Sequence, residues 1–330
     1  MMVDTGVIIR STFKLSISVF VLAGNTMILL AIKKAKSLHE VTYYLLANLA
    51  VSDILLGLSV GSHAVVRLVE ANGFACAAVS LGNLSGGISM SGVLLLCVQS
   101  FLCMRFPVRF RTGFSKRTAA ILIIATWVLW TCHTVYGGVQ LYRLDRYDGK
   151  CGVMSGKNDH LWMGIIAFVG DGHMIALSVL QVALLVMIHR RKRSLRSQRQ
   201  PSCIAESARH LKRLNNFSKM VTIIGMVLVL FLVSWGPFLV ALSVFTVCEE
   251  PWCKQLEEIG ALPSMTILNS LGNVFIYWKK SDEFRAAFSN MCRCRQRIGV
   301  MPTVPENGTE MNALTVPNST RIAVIATDAV

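Results

Sequence analysis

Seven long apolar blocks follow one another along the chain, at approximately 13–33, 42–66, 76–104, 118–139, 161–188, 218–247 and 257–278. A membrane span needs about 20 mostly apolar residues, and each block is long enough. Backbone in lipid has no water to bond, so each block is predicted to be an α-helix. After the last block the period changes. Phe284, Ala287, Phe288 and Met291 stand at i, i+3, i+4 and i+7, the apolar face of a short charged helix. Such a helix is expected to lie flat on the membrane surface. The pattern therefore predicts an all-α membrane fold. A short extracellular N-terminus over 1–12 leads into a seven-helix bundle over 13–278. An amphipathic eighth helix over 279–294 and a disordered tail over 295–330 follow, the tail being weakly patterned and rich in Pro, Asn and Thr.

Composition agrees. The chain is 53% hydrophobic and 15% charged, against about 25% charged in a soluble globule. Its mean hydropathy is +0.54. The net charge of +15 would fit a nucleic-acid binder, but its distribution does not. With the N-terminus outside, twenty-five of the 33 Lys and Arg fall on the inner segments, which is the positive-inside pattern. The basic excess then faces anionic inner-leaflet lipid and a cytosolic partner. No nucleic-acid motif accompanies the charge. The stretch HRRKRSLRSQRQ to HLKRLNN, about 189–217, is the longest inner loop and is expected to extend the fifth and sixth helices into the cytosol. No small-residue cleavage site precedes the first block, so that block is expected to serve as its own insertion signal. The sequons at Asn83, Asn307 and Asn318 fall in the membrane or on the inner side, and none is expected to be used.

Ten cysteines divide by compartment. Cys76, Cys151, Cys248 and Cys253 lie outside, and an even number in oxidising space argues for two disulfides. Proximity favours Cys248–Cys253, which leaves Cys76–Cys151; free thiols are the alternative. Cys97 and Cys132 are expected to pack within helices, and Cys103 and Cys203 to stay reduced. Cys292 and Cys294, at the end of the amphipathic helix, are placed for palmitoylation or are plain thiols.

Several motifs occur in order on these blocks: GNTMILLAI with Asn25, LANLAVSD with Asp53, Cys76 atop the third block, and Trp127 in the fourth. SWGP with Trp235 and Pro237, and LNSLGNVFIY with Asn269, Asn273 and Tyr277, complete the series. On these residues the chain resembles rhodopsin-like (class A) G-protein-coupled receptors over roughly 13–292, its last helices being most like the adenosine, melanocortin and lipid-sensing branch. The resemblance implies a receptor at the plasma membrane, with its N-terminus extracellular and its C-terminus cytoplasmic. Its partners would be an extracellular ligand, membrane lipids and a heterotrimeric G protein or arrestin. No cofactor and no enzymatic activity are implied, and nucleic acid is not a partner.

The chain departs from the family where the family switches. Pro107 lies seven residues after Ser100, so Gln99-Ser100-Phe101 stands where the family has acid-Arg-aromatic. Ser89, eleven residues before Ser100, and Trp127, twenty after Pro107, support this register. Cys76 falls one residue closer to the triplet than usual, so a one-residue irregularity is expected in the upper third helix. The family's Arg packs against the G protein, and Ser100 is too short and neutral for that. Its resting partner on the sixth helix, usually an acid, is here Phe217. Val274 follows Asn273 where the family has Pro, so the seventh helix should kink less. Ser100, Trp235, Pro237 and Tyr277 are the expected switch residues.

Asn25, Asp53, Ser89, Asn269, Ser270 and Asn273 match the family's mid-bundle polar cluster. An Asp at mid-membrane is costly unless paired or neutralised. The cluster's oxygens would suit a sodium ion, the only ion implied; a protonated, hydrogen-bonded Asp53 is the alternative. The family's pocket lies above Trp235. Gly82 occupies the position of the amine receptors' Asp, which argues against aminergic ligands, and residues 257–278 hold no Lys for retinal. A lipid or small neutral molecule is preferred, with His63, Arg67, Asn83, Asp171, His173 and Trp235 as pocket candidates. The small residues of SLGNLSGGISMSG either leave room for a ligand or allow close helix packing. Two other readings compete. The lost Arg, Pro and acid point to a receptor-like protein with weak or no coupling, a decoy or dimer partner. A metal hydrolase would need His63, His133, His160, His173 and Asp171 to converge, and they lack ligand spacing.

Overall fold

The computed structural model describes residues 5–69, 74–106, 114–148, 160–197, 204–247 and 265–298, some helix-end side chains excepted. Among these residues every regular element is helical. The helices are α1 (Thr5–Lys34), α2 (Val41–Leu68), α3 (Ala75–Arg105), α4 (Lys116–Asp148), α5 (His160–Ser197), α6 (Ile204–Val247), α7 (Ile267–Lys280) and α8 (Asp282–Ile298), with a 3-10 turn at Lys36–Leu38. Six of them are long and apolar enough to cross a membrane. The described part of α7 is 14 residues long, and 257–264, the rest of its expected block, lie outside the described residues.

The helices close a ring. α1 packs on α2 and α7, α2 on α3, α3 on α5 and α6, α5 on α6, and α6 on α7. α4 sits outside it against α2 and α3; only 6% of its apolar window is buried, so most of its surface is left for lipid. The main core joins Ile28, Leu45, Leu46, Leu49, Val93, Leu96, Ile224 and Tyr277 from five helices. As expected, α5 and α6 both continue well beyond their apolar blocks on the basic side.

Two expectations are corrected. α3 runs unbroken from Ala75 to Arg105, so the register offset at Cys76 is absorbed without a break in the helix. Cys132 lies on the exposed face of α4, because α4 touches the bundle along one narrow stripe. The apolar face of α8 packs on the bundle: Phe284, Ala287 and Phe288 are buried, with Phe284 between Tyr43 and Tyr277. α8 begins where Ser281 caps it. The Ser281 Oγ accepts from the Phe284 backbone N–H at 3.3 Å, and Asp282 and Glu283 complement the dipole of the first turn.

Candidate functional site

Asp53 on α2 is 1% exposed. The carboxylate is not alone. Ser270 Oγ donates to its Oδ1 at 2.6 Å, and Asn273 Nδ2 donates to its Oδ2 at 2.9 Å. Both partners lie on α7, so the Asp couples two helices. Asn25 on α1 adds the third, its Nδ2 donating to the Val21 and Ser270 carbonyls at 3.0 and 3.3 Å. The structure thus joins Asn25, Asp53, Ser270 and Asn273 into one knot. Ser89 and Asn269 are buried but make no hydrogen bond to Asp53. Ser89 Oγ, both side-chain polar atoms of Asn269, and the Oδ1 atoms of Asn25 and Asn273 find no protein partner.

Trp235 on α6 is buried, stacked on Phe231 at 5.8 Å and edge-on to Phe238 at 6.2 Å. Its ring lies directly on Gly86 of α3: a Cβ there would meet Cη2 at 2.3 Å. Gly87 likewise receives Trp130 of α4, at 2.1 Å from such a Cβ, and the Trp130 Nε1–H donates to Ser91 Oγ at 2.8 Å. Of the two readings of the small-residue stretch, close packing is what this Gly-Gly step displays. Pro237 lies on the exposed side of α6, and the helix continues through it. Tyr277 is buried, stacked on Phe284 at 5.5 Å, and its hydroxyl has no protein partner.

At the basic end, the family's triplet position is quiet. Ser100 is 2% exposed. Gln99 donates through Nε2 to Thr42 Oγ1 at 3.2 Å, toward α2 rather than α6. Met104, Leu184, Ile188 and Val221 form an apolar cluster joined by Phe101, Met187 and Phe217. It holds α3, α5 and α6 together where an ion pair would stand in the family. Gln181 reinforces it, donating from Nε2 to the Val221 carbonyl at 3.3 Å. Outside this seal, Lys219 of α6 reaches Asp282 of α8 at 3.4 Å, and Arg285 also pairs with Asp282. The Arg285 and Lys219 hydrogen bonds and charges hold the Asp282 carboxyl below the usual carboxylate range.

The pocket candidates lie on four helices, α2, α3, α5 and α6. Asp171 of α5 accepts from Ser243 Oγ of α6 at 2.7 Å, and His173 Nδ1 donates to the Val169 carbonyl at 2.8 Å. Asn83 is half-buried on α3. His63 and Arg67 lie at the far end of α2, beside α1. Cys76 is buried and disulfide-bonded, whereas Cys97 and Cys103 are free thiols. Cys151, Cys203, Cys248 and Cys253 lie outside the described residues, as do the side chains of Cys292 and Cys294. Sequence reasoning missed the cross-helix bond from Trp127 Nε1–H to Asn48 Oδ1 at 2.9 Å, and those of Trp130, Gln99 and Lys219. The signal for the first two was present: a buried indole N–H needs an acceptor.

Comparison with known proteins places this geometry. The profile of the 7 transmembrane receptor (rhodopsin family) matches residues 24–277. The chain is 22% identical to sphingosine 1-phosphate receptor 1 of Danio rerio, covering 88% of this chain and 80% of that receptor. It is 21% identical to the Homo sapiens 5-hydroxytryptamine receptor 2C, covering 87% and 73%, and 22% identical to that of Pan troglodytes over the same shares. Equal likeness to receptors named for such different molecules selects no branch. A match over most of the chain, on a helix ring knotted at Asp53, means that the protein belongs to the rhodopsin family of seven-transmembrane receptors.

Proposed function

We propose that the chain is a plasma-membrane receptor that passes binding of an extracellular small-molecule or lipid-like ligand to intracellular transducers, a heterotrimeric G protein or arrestin. In this reading the N-terminus is outside and the basic ends of α5 and α6 face the cytosol. The observation that carries it is the α2–α7 knot: Asp53 bonded by Ser270 and Asn273. A charge-dependent link between helices is an element whose two states a ligand can bias. Gly82 in place of the amine receptors' Asp argues for the lipid-like side of the two relatives. Cys76–Cys151 and Cys248–Cys253 are the proposed disulfides, and Cys292 and Cys294 the proposed palmitoylation sites.

A sodium ion fits the knot. Ser89 Oγ and the Asn273 Oδ1 are buried oxygens without protein partners, and Asp53 supplies the charge that hard cations take. Bound there, the ion would neutralise Asp53, whose carboxylate Ser270 and Asn273 orient. Replacing choline with sodium at fixed ionic strength should raise the melting temperature of wild type and not of Asp53→Asn.

The second reading, weak or no coupling, is favoured by the apolar seal of Met104, Phe217 and Val221 with Ser100 behind it. A nucleotide-exchange assay with purified G proteins, on wild type and Ser100→Arg, separates the two. Exchange driven by wild type supports the first; exchange only with Ser100→Arg supports the second.

A further inference from the structure

Three consecutive residues tie the basic arm of α6 to its neighbours. Phe217 joins the apolar cluster with Met104 of α3 and with Leu184 and Ile188 of α5. Ser218 Oγ accepts from Lys192 Nζ of α5 at 2.9 Å. Lys219 Nζ meets Asp282 Oδ2 of α8 at 3.4 Å. Successive residues of a helix with 3.6 per turn face apart, so the triplet grips the arm from different sides.

These ties differ in kind. α5 is fastened to α6 at three polar points spread along both helices. Lys192 reaches Ser218, Gln181 Nε2 donates to the Val221 carbonyl at 3.3 Å, and Ser243 Oγ donates to Asp171 at 2.7 Å. Gln181 also lies on Gly225, where a Cβ would meet its Nε2 at 2.5 Å. The two helices are built to move together. α8 belongs to another body. Its Phe284 is 1% exposed, stacked on Tyr277 of α7 and edge-on to Tyr43 of α2. The Ser281 N–H donates to the Tyr277 carbonyl at 3.0 Å. Asp282 stands in the first turn of this anchored helix, and Arg285, three residues on, pairs with it. The neighbouring Glu283 accepts from Ser281 Oγ at 2.9 Å. Lys219–Asp282 therefore spans the boundary between the α5–α6 pair and the α2–α7–α8 corner. Among the described residues it is the only ion pair joining two helices.

Inward movement of the arm is opposed, since Met104 and Val221 already fill that space and a packed interior does not compress. Outward movement opens the ion pair. Lys219 is sixteen residues from Trp235, roughly 24 Å along the rod. A tilt of about 10° at the tryptophan carries it roughly 4 Å, and a contact of 3.4 Å does not survive that. The two side chains are 66% and 60% exposed, so the pair is weak and screened by salt. Weakness suits the place. A strong tie would hold the arm permanently, whereas this one changes the ratio of closed to open arms by a small factor.

We infer that Lys219–Asp282 is a resting-state latch: closed, it holds the α5–α6 pair against the α8 corner, and opening it frees that pair to swing as one piece. Only the consequence for signalling rests on the receptor reading; the latch itself does not.

The test uses the full chain in nanodiscs, with spin labels on noncanonical residues at Asn215 of α6 and Ser289 of α8, both exposed. Thiol labelling is avoided because Cys103 and Cys132 are free. Pulsed electron resonance reads the label separation without any G protein. Lys219→Gln and Asp282→Asn should each raise the ratio of long to short separations by about twofold to fivefold, the range of an exposed pair. The double variant should go no further than either single, and Lys219→Arg should match wild type. Added salt should shift wild type and leave the double variant where it is. The melting temperature should stay unchanged throughout, which separates a latch from folding damage. Basal nucleotide exchange by purified G protein should rise by the same factor in both singles. Unchanged separation in either single, or effects that multiply in the double variant, overturns the latch. So does exchange that rises while the separation stays fixed, because the charges would then act on the G protein directly. A shifted separation with exchange absent in every variant leaves the latch standing and counts against the receptor reading.

Discussion

At mid-bundle, α2 and α7 are joined by a buried carboxylate that accepts two hydrogen bonds. Some turns away, at the basic end, α3, α5 and α6 are joined by Met104, Leu184, Ile188, Val221 and Phe217, with no charge among them. Both junctions hold helices that must shift in a switching receptor, but they respond to different perturbations. The polar one is directional and sensitive to a proton or cation. The apolar one is non-directional and sensitive to volume. In this chain the mid-bundle junction is built on polar chemistry, while the junction at the basic end is built on packing.

The comparison breaks first, and hardest, at Asp53. Asp53→Ala leaves Ser270 Oγ and Asn273 Nδ2 buried without their acceptor, and each orphaned group costs about 1–3 kcal/mol. The variant should lose the largest share of thermal stability in detergent, and Asp53→Asn should lose less. At the apolar junction, Leu184→Ala should cost about 3 kcal/mol by opening a cavity; Leu184 is 0% exposed. Phe217→Glu sharpens the contrast. Alone it places an unpaired charge in the seal and should destabilise by roughly 2 kcal/mol. Adding Ser100→Arg should recover at least about half of this, as a reinstated pair does, and a double-mutant cycle on melting temperatures reads the coupling. Gly86→Ala is next: its Cβ would force Trp235 aside, with an overpacking cost of about 1–3 kcal/mol, and should alter ligand-driven exchange more than basal exchange. Asp282→Asn comes last. Its lowered carboxyl contributes above the ordinary carboxylate range, and that contribution fades only as pH falls through the lowered value. At neutral pH an exposed pair of this kind should leave the melting temperature unmoved.

The bundle was legible because the membrane forces long apolar blocks and because a carboxylate inside one is rare enough to stand out. Ser270, Asn273 and Asn25 could be gathered beside Asp53 because the family resemblance implies a polar cluster there. Lys219 and Asp282, or Gln99 and Thr42, could not. They are ordinary polar residues whose meeting depends on the rotation and depth of separate helices, which no apolar pattern encodes. The same limit holds for the bond between Asp171 of α5 and Ser243 of α6. The α8 face shows a third limit. A period of 3.6 reveals that a face will be covered but not by what, and Tyr43 and Tyr277 cover it here.

α6 is one rod of 44 residues from Ile204 to Val247, with Trp235 about two-thirds of the way along. The arm from Trp235 to Ile204 is roughly 46 Å at 1.5 Å per residue. A tilt of about 5° at the tryptophan would therefore sweep the far tip through roughly 4 Å. Any displacement of the indole against Gly86 works at the short side of a long lever, and the movement at the basic end is set by how far that arm projects.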